Sequence, residues 1–204
     1  MLHYSTIFPE TLGLLKKLMK ISELSDFSLA GGTALALQIG HRISYDLDLF
    51  ADSTIENELI LDLLHPIIKV EILQQTKNIL ILDAEGIKLD FVKYRYPTLS
   101  AVNEIEEIRL YSIKDIAAMK LAAIAGRGRK RDFVDLYFLL KEFKLTEIVN
   151  FYLQKYSDSS EMMMVRSLSY FDDANNDEDV VLTIPLEWDM IKLEISNQVK
   201  AQYL

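Results

Sequence analysis

Apolar residues at positions 12, 14, 15, 18, 19 and 21 fall on one face of a 3.6-residue period, so residues 9–22 are predicted to form an amphipathic helix with Pro9 in its first turn. Residues 27–30 read as a short strand that runs into Gly31-Gly32-Thr33. A small apolar helix over 34–39 follows, with Thr33 as its N-cap. The next strand alternates: Tyr45, Leu47 and Leu49 point to a core, and Asp46 and Asp48 to the opposite face. A second amphipathic helix is expected over 54–64, ending near Pro66. Residues 67–77 fit strand and irregular structure equally. Two arms, 79–82 and 87–92, form a hairpin around Asp83-Ala84-Glu85-Gly86. Its second arm sends Ile87, Leu89 and Phe91 one way and Lys88, Asp90 and Val92 the other.

A polar connection over 95–107 leads to a last strand at 108–111, after which the pattern turns helical. Helices are expected over 113–125, from Asp132 onward, and over 145–156, 160–171 and 185–203. Ser112 and Asp115 have the spacing of a capping box, Met162-Met163-Met164 reads as core filler, and 172–179 as a solvated acidic loop. The pattern implies an α/β (α+β) chain: a small mixed, twisted sheet with flanking helices in residues 1–112, and a helical portion in 113–204.

Composition narrows the function classes. Half of the 204 residues are hydrophobic, which suits a folded domain and not a disordered adaptor. With no cysteine, disulfides and thiolate-bound zinc are excluded, in keeping with a reducing, cytoplasmic setting. No signal-peptide pattern and no apolar run long enough to span a membrane occur. The net charge of −9 argues against general nucleic-acid binding, so an anionic substrate needs a local cationic patch or a metal.

Candidate chemistry concentrates in residues 29–50. Two carboxylates about 4 Å apart repel by about 1 kcal/mol in water and about 4 kcal/mol at an effective dielectric near 20. Asp46 and Asp48 on one strand face therefore either stay well solvated or hold a cation. The preceding Gly31 and Gly32 can take positive φ and present N–H groups to an anion, with a helix N-terminus behind them. A triphosphate with magnesium uses both features. By parity Asp90 becomes a third acid, and Lys88 its neighbour, if the two strands pair.

Lys120 is the one polar residue between Ile116 and Ala125, so it needs an anion: a protein carboxylate or a nucleotide phosphate. Arg127, Arg129, Lys130 and Arg131 crowd the next segment, and Asp132 and Asp135 share one face of the helix beyond. Asp132 suits a helix cap as well as a site. Asp135 suits a hydrogen bond to Lys120 or to a basic side chain.

Gly31-Gly32-Thr33-Ala34-Leu35, His41-Arg42-x-Ser44 and Asp46-Leu47-Asp48-Leu49-Phe50 together resemble the nucleotidyltransferase toxins of type IV abortive-infection systems (AbiEii/AbiGii type), within the DNA polymerase β-like nucleotidyltransferase superfamily. Lys88-x-Asp90 resembles the family's second motif, Lys120 its third, and Arg131-Asp132-x-x-Asp135-Leu136 its fourth. Thr33 stands where Ser is usual, and the helical C-terminal region is shorter than in many members. The resemblance implies a nucleotidyltransferase fold and transfer of a nucleoside monophosphate from an NTP (ATP, GTP or CTP) to a hydroxyl, with release of pyrophosphate. It implies two Mg2+ ions on Asp46 and Asp48, joined at one of them by Asp90. Gly31, Gly32 and Thr33 would hold phosphates, Lys120 would neutralise the triphosphate, and Lys88, Arg42, Asp132 and Asp135 would support the nucleotide site. It further implies a separate antitoxin protein and, for some members, an RNA acceptor such as the tRNA 3′ end. Arg127, Arg129, Lys130 and Arg131 are then candidates to meet that RNA. A protein or small-molecule acceptor, or a nucleotide-binding module without turnover, stays open from the residues alone.

Overall fold

The computed structural model describes residues 1–53 and 56–203. They form two compact units: the described residues within 1–40, 44–96 and 101–111 in the first, and within 41–43, 97–100 and 112–203 in the second.

The first unit contains α1 (Pro9–Met19), β1 (Ser28–Leu29), α2 (Gly31–Ile39), β2 (Leu47–Ala51), α3 (Asn57–Leu64), β3 (Glu71–Gln75), β4 (Ile79–Ala84), β5 (Ile87–Lys93), β6 (Asn103–Ile105) and β7 (Ile108–Leu110). One seven-stranded mixed sheet runs β3-β4-β5-β2-β1-β7-β6, with β2–β5 and β1–β7 parallel and the other pairs antiparallel. Leu47, Leu49, Leu89 and Phe91 are buried along one face of the two central strands, and Leu14, Leu15 and Leu18 of α1 are buried as the helical stripe requires. Each such side chain contributes about 1.5–3 kcal/mol relative to leaving it in water.

Several expectations change here. Tyr45 is 49% exposed, because the chain enters the β2 ladder only at Leu47; its ring leans on Phe8. The helix expected from residue 34 starts at Gly31 with Ala30 as N-cap, since Gly31 at φ 66° reverses the chain at once. The first two positions of the helix predicted over 54–64 lie outside the described residues; α3 is seen from Asn57. The ambiguous stretch holds β3, and the 95–107 connection contains β6. The hairpin is tighter than expected, a two-residue turn with positive φ at Glu85 and Gly86.

The second unit contains α4 (Ile113–Gly126), α5 (Lys130–Glu142), α6 (Leu145–Lys155), α7 (Glu161–Ser167), α8 (Asp172–Asn175) and α9 (Trp188–Tyr203). Ser112 caps α4, its hydroxyl accepting from Asp115 N–H at 3.1 Å. The start of the acidic stretch is helical (α8). Met162 and Met163 are exposed and only Met164 is buried, because α7 is a single-sided helix with the two preceding methionines on its outer face.

Candidate active site

In the first unit, β2 and β5 lie side by side in parallel with Asp48 opposite Asp90 and Leu47 opposite Leu89. Both carboxylates therefore share the face away from the leucines, and Asp46 sits just before β2. The glycine turn is built against them. Ala30 N–H donates to the Asp48 carbonyl at 2.8 Å, and a Cβ on Gly31 would stand 2.1 Å from Asp48 Oδ2. Only glycine fits there, by space as well as by φ. Gly32 carries no positive φ; its place is the first turn of α2, where main-chain N–H groups are still without helical partners.

Thr33 is buried, and its hydroxyl faces inward: Oγ1 lies 2.8 Å from Ser44 Oγ and hydrogen-bonds the Asp46 carbonyl. It pins the segment that carries Asp46 and is not a helix cap. Its main-chain N–H, not its hydroxyl, is what it can offer a phosphate.

Lys88 Nζ sits 2.5 Å from Asp90 Oδ2, with the lysine side chain 42% exposed and the aspartate 14%. The other oxygen, Asp90 Oδ1, is buried and has no hydrogen-bond partner among the described residues. A buried carboxylate oxygen left unpaired is costly and is the natural contact of a cation. All-oxygen donors of this kind suit Mg2+, which keeps water and substrate phosphates in most of its octahedron and needs only one or two protein carboxylates. Among the described residues no three acidic, histidine or cysteine side chains are already gathered as a ligand set. The residues fit magnesium together with a triphosphate, not magnesium alone.

In the second unit, Lys120 of α4 reaches Asp132 Oδ1 at 3.0 Å and Asp135 Oδ2 at 2.5 Å, both on α5. Asp135 also accepts from Arg42 Nε at 2.6 Å and Nη2 at 3.1 Å and faces His41 Nε2 at 2.7 Å. Asp132 accepts from Arg127 Nε at 2.9 Å and Nη2 at 3.1 Å. Burial pushes the Asp135 carboxyl up, but Arg42 and Lys120, with hydrogen bonds from His41 and Arg42, outweigh it and hold it well below the usual carboxylate range. Asp132 is likewise raised by burial and by Asp135 and lowered on balance by Lys120 and Arg127. Arg42 and Lys120, both buried, and the half-exposed Arg127 thus surround the two carboxylates.

The basic segment is not presented as four equivalent cations. Lys130 is only 7% exposed: Nζ donates to the Asp177 carbonyl at 2.9 Å and pairs with Asp179 at 3.0 Å, and its N–H donates to Asp177 Oδ2 at 2.8 Å. The acidic stretch is largely exposed, as expected, with Asp179 at 98%, but it also draws Lys130 away from the RNA-facing edge expected of it. Burying the ammonium requires carboxylates, and the acidic stretch supplies them. Arg127 is committed to Asp132, Arg129 is exposed and Arg131 half-buried.

A second buried pair escaped the sequence reading. Asp115 and Lys155 meet at 2.7 Å with both side chains fully buried; Asp115 also accepts from Leu99 N–H and Ser100 N–H, and Lys155 donates to the Pro97 carbonyl. Leu145, Ile148, Val149 and Tyr152 form the apolar stripe of α6, and Lys155 continues it one turn on, which was the available signal.

The model of the AbiEii toxin, a nucleotidyl transferase of type IV toxin–antitoxin systems, matches residues 13–201. The chain is 36% identical over 196 residues to the uncharacterized protein aq_aa25 of Aquifex aeolicus, covering 93% of this chain and 94% of that one. Its fold is similar to a solved Helicobacter pylori protein described as a candidate nucleotidyltransferase, at TM-score 0.61 and 22% identity, over 94% of this chain and 90% of the other. It is also similar to MenT4, the nucleotidyltransferase toxin Rv2826c of Mycobacterium tuberculosis H37Rv, at TM-score 0.59 and 14% identity, over 92% and 82%. Among the described residues no helix is long and apolar enough to cross a membrane.

Proposed function

Because the chain belongs to the AbiEii nucleotidyltransferase toxin family of type IV toxin–antitoxin systems, we propose that its NTP-dependent chemistry is metal-assisted and that the acceptor is an RNA 3′ hydroxyl, the tRNA end being the leading case. Asp46 and Asp48 would hold two Mg2+ ions, with Asp90 joining at the one nearer the acceptor. Such ions, when bound, stabilise the entering and leaving oxygens of an in-line displacement. The main-chain N–H groups at Gly31, Gly32 and Thr33 bind the β and γ phosphates and fix the leaving pyrophosphate. Asp90 orients the attacking hydroxyl. Lys88, now on Asp90 Oδ2, is a mobile cation that leaves that oxygen when the site fills. The family pattern gives Lys120 to the triphosphate, with Asp132 and Asp135 holding its ammonium and Arg42 as further support.

The observation that carries this reading is the in-register Asp48–Asp90 pair beside a glycine turn, with one Asp90 oxygen buried and unsatisfied. Asp48→Asn tests it. The variant should melt as the parent does and lose transfer of labelled NMP to RNA by more than about a thousandfold, roughly 4 kcal/mol of barrier. Normal turnover in that variant removes the metal assignment. The protein and small-molecule acceptors are tested in parallel, by offering labelled NTP with total cellular RNA, protein or aminoglycosides. Label confined to RNA supports the reading, and label on protein replaces it.

A further inference from the structure

The sheet face that carries Asp48 and Asp90 continues into an aromatic cluster that the chemistry above does not use, although its Phe50 closes the first motif. Phe50 follows Asp48 by two residues on β2 and Val92 follows Asp90 by two on β5, so both project to that face, and Tyr94, one residue past the end of β5, brings its ring to Phe50. The Phe50 and Tyr94 ring centroids are 5.0 Å apart, and those of Tyr94 and Tyr96 5.2 Å apart. Tyr111, only 4% exposed, backs Phe50 and Tyr94 at 6.3 and 6.5 Å, while Phe50, Tyr94 and Tyr96 are half-buried. The ring planes are tilted by 46° and 61°, so the rings do not form one flat shelf. The Arg95 guanidinium lies 5.2 Å from the Tyr96 ring and brings a cation to the rim.

The position of this cluster along the strands selects its ligand. β1 runs antiparallel to β2, with Ser28 opposite Phe50 and Leu29 opposite Leu49, and the glycine turn follows β1. Along β2 the order is therefore glycine turn, Asp48, then Phe50, about 7 Å beyond the carboxylate. If the pyrophosphate leaves toward the glycine turn, an in-line attack comes from the opposite side. That is the side of the aromatic rings.

We infer that Phe50, Tyr94 and Tyr96 form a stacking site for an unpaired nucleobase at the 3′ end of the acceptor strand. This rests on the RNA-acceptor reading above. Every base has a π face, so stacking accepts any base and leaves sequence preference weak. The rings hold the terminal nucleotide while its 3′ hydroxyl faces Asp90.

The test uses the full chain and two single-stranded RNAs, one ending in 2-aminopurine and one ending in an abasic ribose that keeps its 3′ hydroxyl. The parent protein should quench the 2-aminopurine and bind that strand about ten- to a hundredfold more tightly than the abasic one. Tyr94→Leu and Tyr96→Leu, which keep apolar volume, should lose most of that preference while melting near the parent temperature and binding NTP as before. Tyr94→Phe should keep it. Equal affinity of the parent for both strands overturns the site, as does a variant that loses NTP binding and not strand preference, which would give the rings to the donor base. Labelled-NMP transfer measured alongside separates the two readings. Ring-dependent preference without transfer to RNA leaves the stacking site standing and removes the acceptor assignment. Transfer to both strands alike, independent of the rings, does the reverse.

Discussion

Asp90 of the sheet and the carboxylates of the helical unit face opposite situations. Asp132 and Asp135 are fully buried and saturated with donors from Arg42, Lys120, Arg127 and His41. Asp90 has one oxygen on a half-exposed lysine and the other on nothing. Burying an ion is tolerable only when its partners are in place, so the helical cluster is a finished piece of structure. In the sheet, Asp90 keeps an unused oxygen beside a glycine turn, a buried threonine and the strand register that sets it opposite Asp48. Cost in stability should follow the first region and loss of ligand the second.

Asp135→Asn should give the largest stability change. It removes the charge that Arg42 and Lys120 share, leaving Lys120 only its contact with Asp132, at about 3–5 kcal/mol, and denaturant melts would read it directly. A loss below about 1 kcal/mol would mean the cluster is wetter than its geometry shows. The pH dependence has a definite sign. The folded-state pKa of Asp135 and of Asp132 lies below the unfolded value, so their stabilisation is complete above the ordinary aspartate pKa of about 3.9 and is lost as pH falls through the depressed values. The parent should lose stability as pH falls below about 4, with a flatter decline there in Asp135→Asn.

Lys120→Met sharpens the contrast, because Lys120 belongs to the finished cluster yet carries a proposed nucleotide role. Arg42 and Arg127 stay to balance the two carboxylates, so the cost should be smaller, about 1–3 kcal/mol. A nucleotide role adds a loss of NTP affinity of about tenfold or more, the worth of a charge-assisted contact, measured by titration under conditions where the variant is folded. Destabilisation with unchanged NTP affinity would place Lys120 wholly with the structural ions.

The same contrast decides what was legible beforehand. The parity of Asp48 and Asp90 follows from two-residue alternation, a local property, and only the β2–β5 pairing had to be supplied by the fold. Lys120 announced a need for an anion through its apolar neighbours. Which anion was a tertiary matter: Asp132 and Asp135 lie on the next helix. Lys130 and Asp179, or Asp115 and Lys155, are too far apart in sequence for any periodicity to link, so a cation run read as solvent-facing when one of its members was tied inside. Thr33 was misplaced because a hydroxyl behind a glycine turn looks like a cap, whereas positive φ at Gly31 starts the helix three residues earlier.

The smallest expected effect separates the regions most sharply. Lys88 and Asp90 form an ion pair as short as any in the helical cluster, yet the lysine is 42% exposed. Solvent screens such a pair, so Lys88→Met should change stability by less than about 1 kcal/mol, a shift of at most about 2–4 °C in melting temperature. Its consequence should appear in ligand binding. The ammonium now sits on an oxygen that a divalent ion would use, and removing it ends that competition. Mn2+ affinity of the nucleotide-free protein, followed by the ion's paramagnetic signal, should rise by up to about fivefold, the equivalent of about 1 kcal/mol. NMP transfer should nonetheless fall, since the released lysine no longer meets the bound anion. Weaker Mn2+ binding in Lys88→Met would show that Lys88 shapes the carboxylate for the ion and does not hold its place.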